Sequence, residues 1–180
     1  MTEMIFPMDT SATYEAAYQA ITKGDDQRIE ELAAAAPFLI TNEELREDGP
    51  EPLLNQAILD GVRGPIGLRV VATILDLGAD VNYCPPWGCT ALHDAAMSLD
   101  VAMIKLVLKR GANPNVLDFP LETDDRETVL DMVDWEILIQ ETRIPGEPDR
   151  DPGDVLPMIR DLLVQAGAKG YYEMHPEELN

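Results

Sequence analysis

Apolar and polar positions are most regularly ordered between Thr90 and Gly111. Thr90 is placed to cap a helix that starts at Ala91, its hydroxyl accepting from an otherwise unpaired N–H of the first turn. Leu92, Ala95 and Ala96 make one apolar stripe on that short helix, and the two alanines let a neighbouring helix approach closely. Ser98–Asp100 reads as a bend. A second helix follows, with Val101, Ile104, Leu106, Val107 and Leu108 on a broad buried face. Lys109 and Arg110 fall in its last turn, where positive charge suits the carbonyl end of a helix. Gly111 then ends the helix as a residue free to turn left-handed. Asn113–Asp118 should extend outward as a loop or hairpin arm.

The pattern recurs. Gly78, Ala79, Asp80, Val81 and Asn82 match Gly111, Ala112, Asn113, Pro114 and Asn115 at a spacing of 33 residues. Before them the pattern predicts a helix over Val70–Leu77, with Ile74, Leu75 and Leu77 as its core side. Its partner spans about Leu53–Asp60, with Leu54, Ala57 and Ile58 inward. The segment GVRGPIGLR between them reads as an extra loop centred on Gly64–Gly67. Gly167 and Ala168 repeat the glycine stop, after Met158, Ile159, Leu162, Leu163 and Ala166. They lie 56 residues beyond Gly111, which is the 33-residue period plus 23. That excess predicts two insertions, at about 119–126 and 141–153, around a helix over Val129–Ile139 capped by Thr128. Trp135 lies within that helical pattern and is expected in the core. Near the N-terminus, Tyr14–Ile21 and Asp26–Ala35 form a further pair bent at Gly24, with Ala17, Ile21, Ile29, Leu32 and Ala36 apolar.

The fold expected is therefore all-α: about four helix pairs side by side in a short solenoid, within one domain over residues 1–180. A single pair cannot bury its apolar face, so each depends on its neighbours. The repeats are placed at about 11–40, 51–83, 88–118 and 127–169. The insertions are placed at about 61–68, 119–126 and 141–153, and residues 170–180 are read as a polar tail.

The stretch from Gly88 to Asp118 resembles one ankyrin repeat, and weaker copies flank it. In that family the short helix opens on a Thr-Pro-Leu-His motif. Here Thr90, Ala91, Leu92 and His93 lack only the proline; Glu51, Pro52, Leu53 and Leu54 lose the threonine and the histidine; the last unit has Thr128, Val129, Leu130 and Asp131. The resemblance implies an ankyrin-type solenoid that binds other macromolecules. It implies a structural histidine hydrogen-bonded across the turn, and contact through the protruding arms and the short-helix face. By position the arms are about Arg46–Glu51, Asp80–Trp87 and Asn113–Arg126.

Charge narrows the partner. The net charge is −21, from 34 acidic and 13 basic residues, and both halves share it. Such a field repels nucleic acid and anionic membranes and attracts a basic protein. Two arms end in acid, through Glu47, Asp48 and Glu51 and through Glu122, Asp124, Asp125 and Glu127. The middle arm offers Tyr83 and Trp87. Aromatic rings supply desolvated contact while carboxylates steer approach. The Pro-, Gly- and charge-rich stretch from Glu141 to Asp154, with Glu147, Asp149 and Asp151, is a second candidate surface.

Other chemistry finds little support. Cys84 and Cys89 are too few for a disulfide framework and have no companion pair for a metal. No phosphate loop ends in Lys-Ser/Thr. The N-terminus shows neither a signal peptide nor a membrane span, which makes the cytoplasm the default compartment. His93 and Asp94 are the one constellation where a hydrolase could be sought, but the expectation is no enzyme, no cofactor, no metal and no small-molecule substrate. The leading reading is an interaction module that binds and inhibits a basic protein, such as an antidote to a toxin. Its rival is an acidic surface that mimics DNA before a nucleic-acid enzyme.

Overall fold

In the computed structural model, residues 10–42, 51–85, 88–118, 127–142 and 155–179 are described. Among them helices dominate: α1 (Thr10–Lys23), α2 (Asp26–Ala35), α3 (Phe38–Thr41), α4 (Leu53–Leu59), α5 (Pro65–Asp76), α6 (Ala91–Met97), α7 (Val101–Lys109), α8 (Val129–Glu141), α9 (Val155–Gln165) and α10 (Tyr171–Met174). Two short strands, β1 (Leu117–Asp118) and β2 (Glu127–Thr128), pair antiparallel. The chain divides between Asp80 and Val81 into two compact units.

In the first unit α1 pairs with α2 and α4 with α5, and the two pairs stack through α1 on α4 and α2 on α5. Ala17, Ile21, Ile29, Leu39, Leu53, Ile58 and Ile74 form its driest layer. Arg69 bridges the pairs: it forms an ion pair with Asp26 and donates to the Gly24 carbonyl at 3.3 Å. In the second unit α6 pairs with α7 and α8 with α9, and they stack through α6 on α8 and α7 on α9. Leu92, Ile104, Leu156, Ile159 and Leu163 are fully buried there. Each unit thus stacks helix pairs as an ankyrin-type helical solenoid does.

The bends of two pairs, α1–α2 and α6–α7, share one device. Gly24 and Leu99 take left-handed backbone angles, with φ of 67° and 54°. The next residue, an aspartate, caps the second helix. Asp25 accepts from the Arg28 N–H at 3.1 Å, and Asp100 accepts from Ala102 and Met103 at 3.0 Å each. These carboxylates occupy donors that the first helical turn leaves open. The glycine stops behave as their spacing predicts: Gly78, Gly111 and Gly167 have φ of 101°, 92° and 88°.

Three features depart from the sequence reading. Helix α5 begins at Pro65, five residues before the expected start at Val70, so half of the expected loop is helical. Proline fits the first helical position because its φ is preset and its missing N–H would be unpaired there. Gly67 then lies so close to the Val62 carbonyl that a Cβ would stand 1.7 Å from the oxygen, which explains a glycine inside a helix. The buried face of α5 is Gly67, Val70, Val71 and Ile74, whereas Leu77, expected inward, is 38% exposed. Second, α3 buries Leu39 and Ile40, where no helix was expected. Third, the residues read as a polar tail form α10 and a 3₁₀ turn over Pro176–Leu179. There Tyr171 stacks on His175 with ring centroids 4.7 Å apart and donates its hydroxyl to Glu178 at 2.6 Å.

Candidate protein-interaction surface

Two local constructions hold the second unit in shape. The first is the start of each short helix. Thr90 precedes α6 in extended conformation, and its backbone N–H donates to Nδ1 of His93 at 3.4 Å. The Thr90 hydroxyl lies 2.8 Å from the same nitrogen. An Nδ1 that accepts leaves the ring proton on Nε2. His93 and Asp94 are each 2% exposed. A hydrolase centred on them would need a side chain that substrate can reach, and both are enclosed. The histidine is part of the cap.

Asp131 does the same work in the last unit with different chemistry. It accepts from the Thr128 N–H at 2.9 Å and from the Thr128 hydroxyl at 2.8 Å. The same oxygen accepts from the Tyr171 N–H at 2.8 Å, tying α8 to α10. Gly170 permits this approach, since a Cβ there would lie 2.7 Å from the other oxygen of Asp131.

The second construction is a pair of asparagine clamps. Asn82 donates to the Gly111 carbonyl at 3.1 Å and accepts from the Asn113 N–H at 2.6 Å. Asn115, 33 residues on, donates to the Gly167 carbonyl at 3.1 Å and accepts from the Lys169 N–H at 2.8 Å. Each amide therefore holds the glycine stop of the following repeat. Asn115→Ala should lower the unfolding free energy by about 1–2 kcal/mol, since two backbone groups lose their partner but regain water in part. A urea midpoint that does not move would remove the clamp from the account.

The expected arms can be placed in part. Leu117 pairs with Thr128 and Asp118 with Glu127, so the third arm has a hairpin base. Glu127 sits in that base, half-buried. Glu122, Asp124 and Asp125 lie outside the described residues, as do Glu47 and Asp48 of the first arm, Trp87 of the middle one, and Glu147, Asp149 and Asp151. Glu51 is half-buried just before α4. Tyr83 is also half-buried; burial, and then the neighbouring Cys84, push its phenol above the ordinary value. The Cys84 thiol donates to the Gly88 carbonyl at 2.8 Å.

Trp135 is a correction. Expected in the core, it is 60% exposed, and Leu138 on the same helix is 48% exposed. Helix α8 turns Val129, Leu130 and Val133 to the core instead. Helix α9 packs on it, and Arg160 bridges to Asp134 at 2.6 Å. That pairing, with the charge of Asp134 close by, raises the Arg160 pKa further above its ordinary value. On α9, Met158 likewise faces outward at 50% exposure.

Stacked helix pairs, glycine stops 33 residues apart and a Thr-x-Leu-His cap define an ankyrin-type interaction module rather than an enzyme. Residues 67–108 match the family model described as ankyrin repeats (many copies), and the chain carries an ankyrin-repeat region there. Ankyrin repeats typically serve as non-catalytic scaffolds for protein–protein contact, and the matched region fits that role. Among curated proteins, Protein PhlB of Serratia liquefaciens is 36% identical over 118 residues, covering 64% of this chain and 46% of that protein. A probable E3 ubiquitin-protein ligase of rice, XBOS34, is 33% identical over 120 residues, covering 66% of this chain and 21% of that protein. The chain thus spans less than half the length of either relative. Among the described residues no helix is long and apolar enough to cross a membrane.

Proposed function

We propose that this chain binds and inhibits a basic protein through its acidic arms, as an immunity protein neutralises a toxin. The observation that carries the reading is a net charge of −21 on an ankyrin-type interaction module. A field of that size concentrates cationic partners and orients them before contact. Glu47, Asp48 and Glu51, with Glu122, Asp124, Asp125 and Glu127, supply the charge, and Tyr83 and Trp87 the desolvated contact. Glu147, Asp149 and Asp151 form the alternative acidic surface. The setting proposed is the cytoplasm of a bacterial cell.

The test is capture on the immobilised chain from lysate of the source cells at low and high salt. A single basic protein, released as salt rises and losing its activity when bound, is the expected result. Reversing Asp124 and Asp125 to lysine should weaken that complex by about tenfold to a hundredfold, with Asp149 and Asp151 reversed as the comparison. Retention of no protein at low salt, or indifference to both reversals, would overturn the reading. If the captured protein is a nucleic-acid enzyme from which DNA displaces the chain, the acidic surface acts as a DNA mimic instead.

A further inference from the structure

Helix α8 is apolar on two opposite sides. Val129, Leu130 and Val133 are buried at 5% exposure or less, while Trp135, Leu138 and Ile139 stand 60%, 48% and 39% exposed. Positions 135, 138 and 139 are related by three and four residues, so they share one face of the helix. A helix with apolar residues all round is usually enclosed on all sides, and this one is enclosed on one. Exposed apolar clusters of this kind mark contact sites, and tryptophan is the residue most enriched where binding energy concentrates.

Charge selects the occupant. Helix α8 carries Asp131, Asp134, Glu136 and Glu141 and no lysine, arginine or histidine. Asp131 is committed to the Thr128 cap and Asp134 to Arg160, and Glu136 stands exposed beside the apolar face. A second copy of the chain would bring one net charge of −21 against another, so self-pairing is opposed. We infer that the Trp135–Leu138–Ile139 face receives an amphipathic helical segment of a basic protein, its apolar ridge on the three side chains and its lysines or arginines toward the acidic margin. For the sign of the partner's charge this rests on the function proposed above; the apolar anchor is a separate surface from the arms. Helix-on-face recognition reads anchors at three- and four-residue spacing, which matches what α8 presents.

The experiment uses the full chain carrying Trp87→Phe, which leaves Trp135 as the sole tryptophan. It is titrated with a model amphipathic helical peptide of leucine and lysine, with a scrambled peptide of the same composition, and with a leucine–glutamate counterpart. Calorimetry on the native chain checks the Trp87 substitution. The expected result is a saturable blue shift of Trp135 emission with the amphipathic cationic peptide alone. Leu138→Asp with Ile139→Asp should weaken it about tenfold or more while far-UV circular dichroism stays unchanged. Equal binding of the scrambled peptide, or full binding to the double variant, would overturn the inference by leaving charge as the only attraction. A blue shift that grows with protein concentration alone, with a dimer in sedimentation, would assign the face to a second copy and overturn it too. If the peptides fail while the immobilised chain still retains a basic protein that salt releases, this surface falls and the acidic-arm reading stands. If the peptide binds and the capture retains nothing, the arm reading falls and the α8 face stands.

Discussion

Ile104→Ala is expected to cost about 2–5 kcal/mol of unfolding free energy, the range for truncating a large core aliphatic without full collapse of the cavity. Ile104 is 0% exposed and lies on α7, which packs against both α6 and α9. A void there loosens the helix's own pair and its contact with the next. In stacked repeats the interface between neighbours carries much of the stability, so the effect should exceed that of a core site within one pair. Trp135→Ala is the matched control. By the sequence pattern alone it would be as damaging as Ile104→Ala. At 60% exposure it should change stability by about 0.5 kcal/mol or less. Urea unfolding of both variants checks the contrast, and equal losses would mean that the tryptophan packs inward after all.

The second large effect belongs to Asp131. Replacing it with alanine strips the partner from the Thr128 N–H, the Thr128 hydroxyl and the Tyr171 N–H together. Thr128 is 0% exposed, so water cannot readily take the place of the lost carboxylate. Loss of a cap with buried donors left open should cost about 2–3 kcal/mol. Asp131→Asn should cost less, because an amide oxygen can still accept where the carboxylate oxygen did. Hydrogen exchange at the Tyr171 amide offers the local readout: it should speed up in the alanine variant more than the global loss of stability explains. An amide that exchanges at an unchanged rate would show that α10 is held by other contacts, such as the Tyr171 ring against His175.

Much of the fold was legible because its repeating parts carry local chemistry. Gly78, Gly111 and Gly167 are readable as stops since a left-handed residue favours glycine wherever it occurs. Thr90 and Thr128 are readable as caps since a hydroxyl before an apolar helix has few other uses. The paired helices followed from apolar spacing, and Leu53–Leu59, Asp26–Ala35 and Val101–Lys109 fall within a residue of their expected bounds. Other parts were hidden for stated reasons. Helix α3 is four residues long, too short to show a period. The last unit lacks the family histidine, and that Asp131 at the matching position caps as His93 does appears only when both are seen accepting from the threonine three residues earlier. The asparagines at 82 and 115 stood out at the same spacing, yet their partners lie 29 to 54 residues away along the chain. The acidic arms were marked by composition alone, whereas Trp135 on α8 was read as core and lies outside.

Periodicity, caps and glycine spacing were enough, before any coordinates, to define a stack of short helix pairs with a strongly acidic surface. They depend on backbone geometry and on neighbours a few residues apart, which any stretch of chain carries with it. Which apolar faces are covered is another matter. Helix α8 has more apolar sides than the second unit covers, and only the placement of α9 and α6 decides that Val133 is inside and Trp135 outside. The same packing let one carboxylate at Asp131 serve both the helix it caps and a segment forty residues further on. Burial depends on what arrives from elsewhere in the chain, and no local pattern records it.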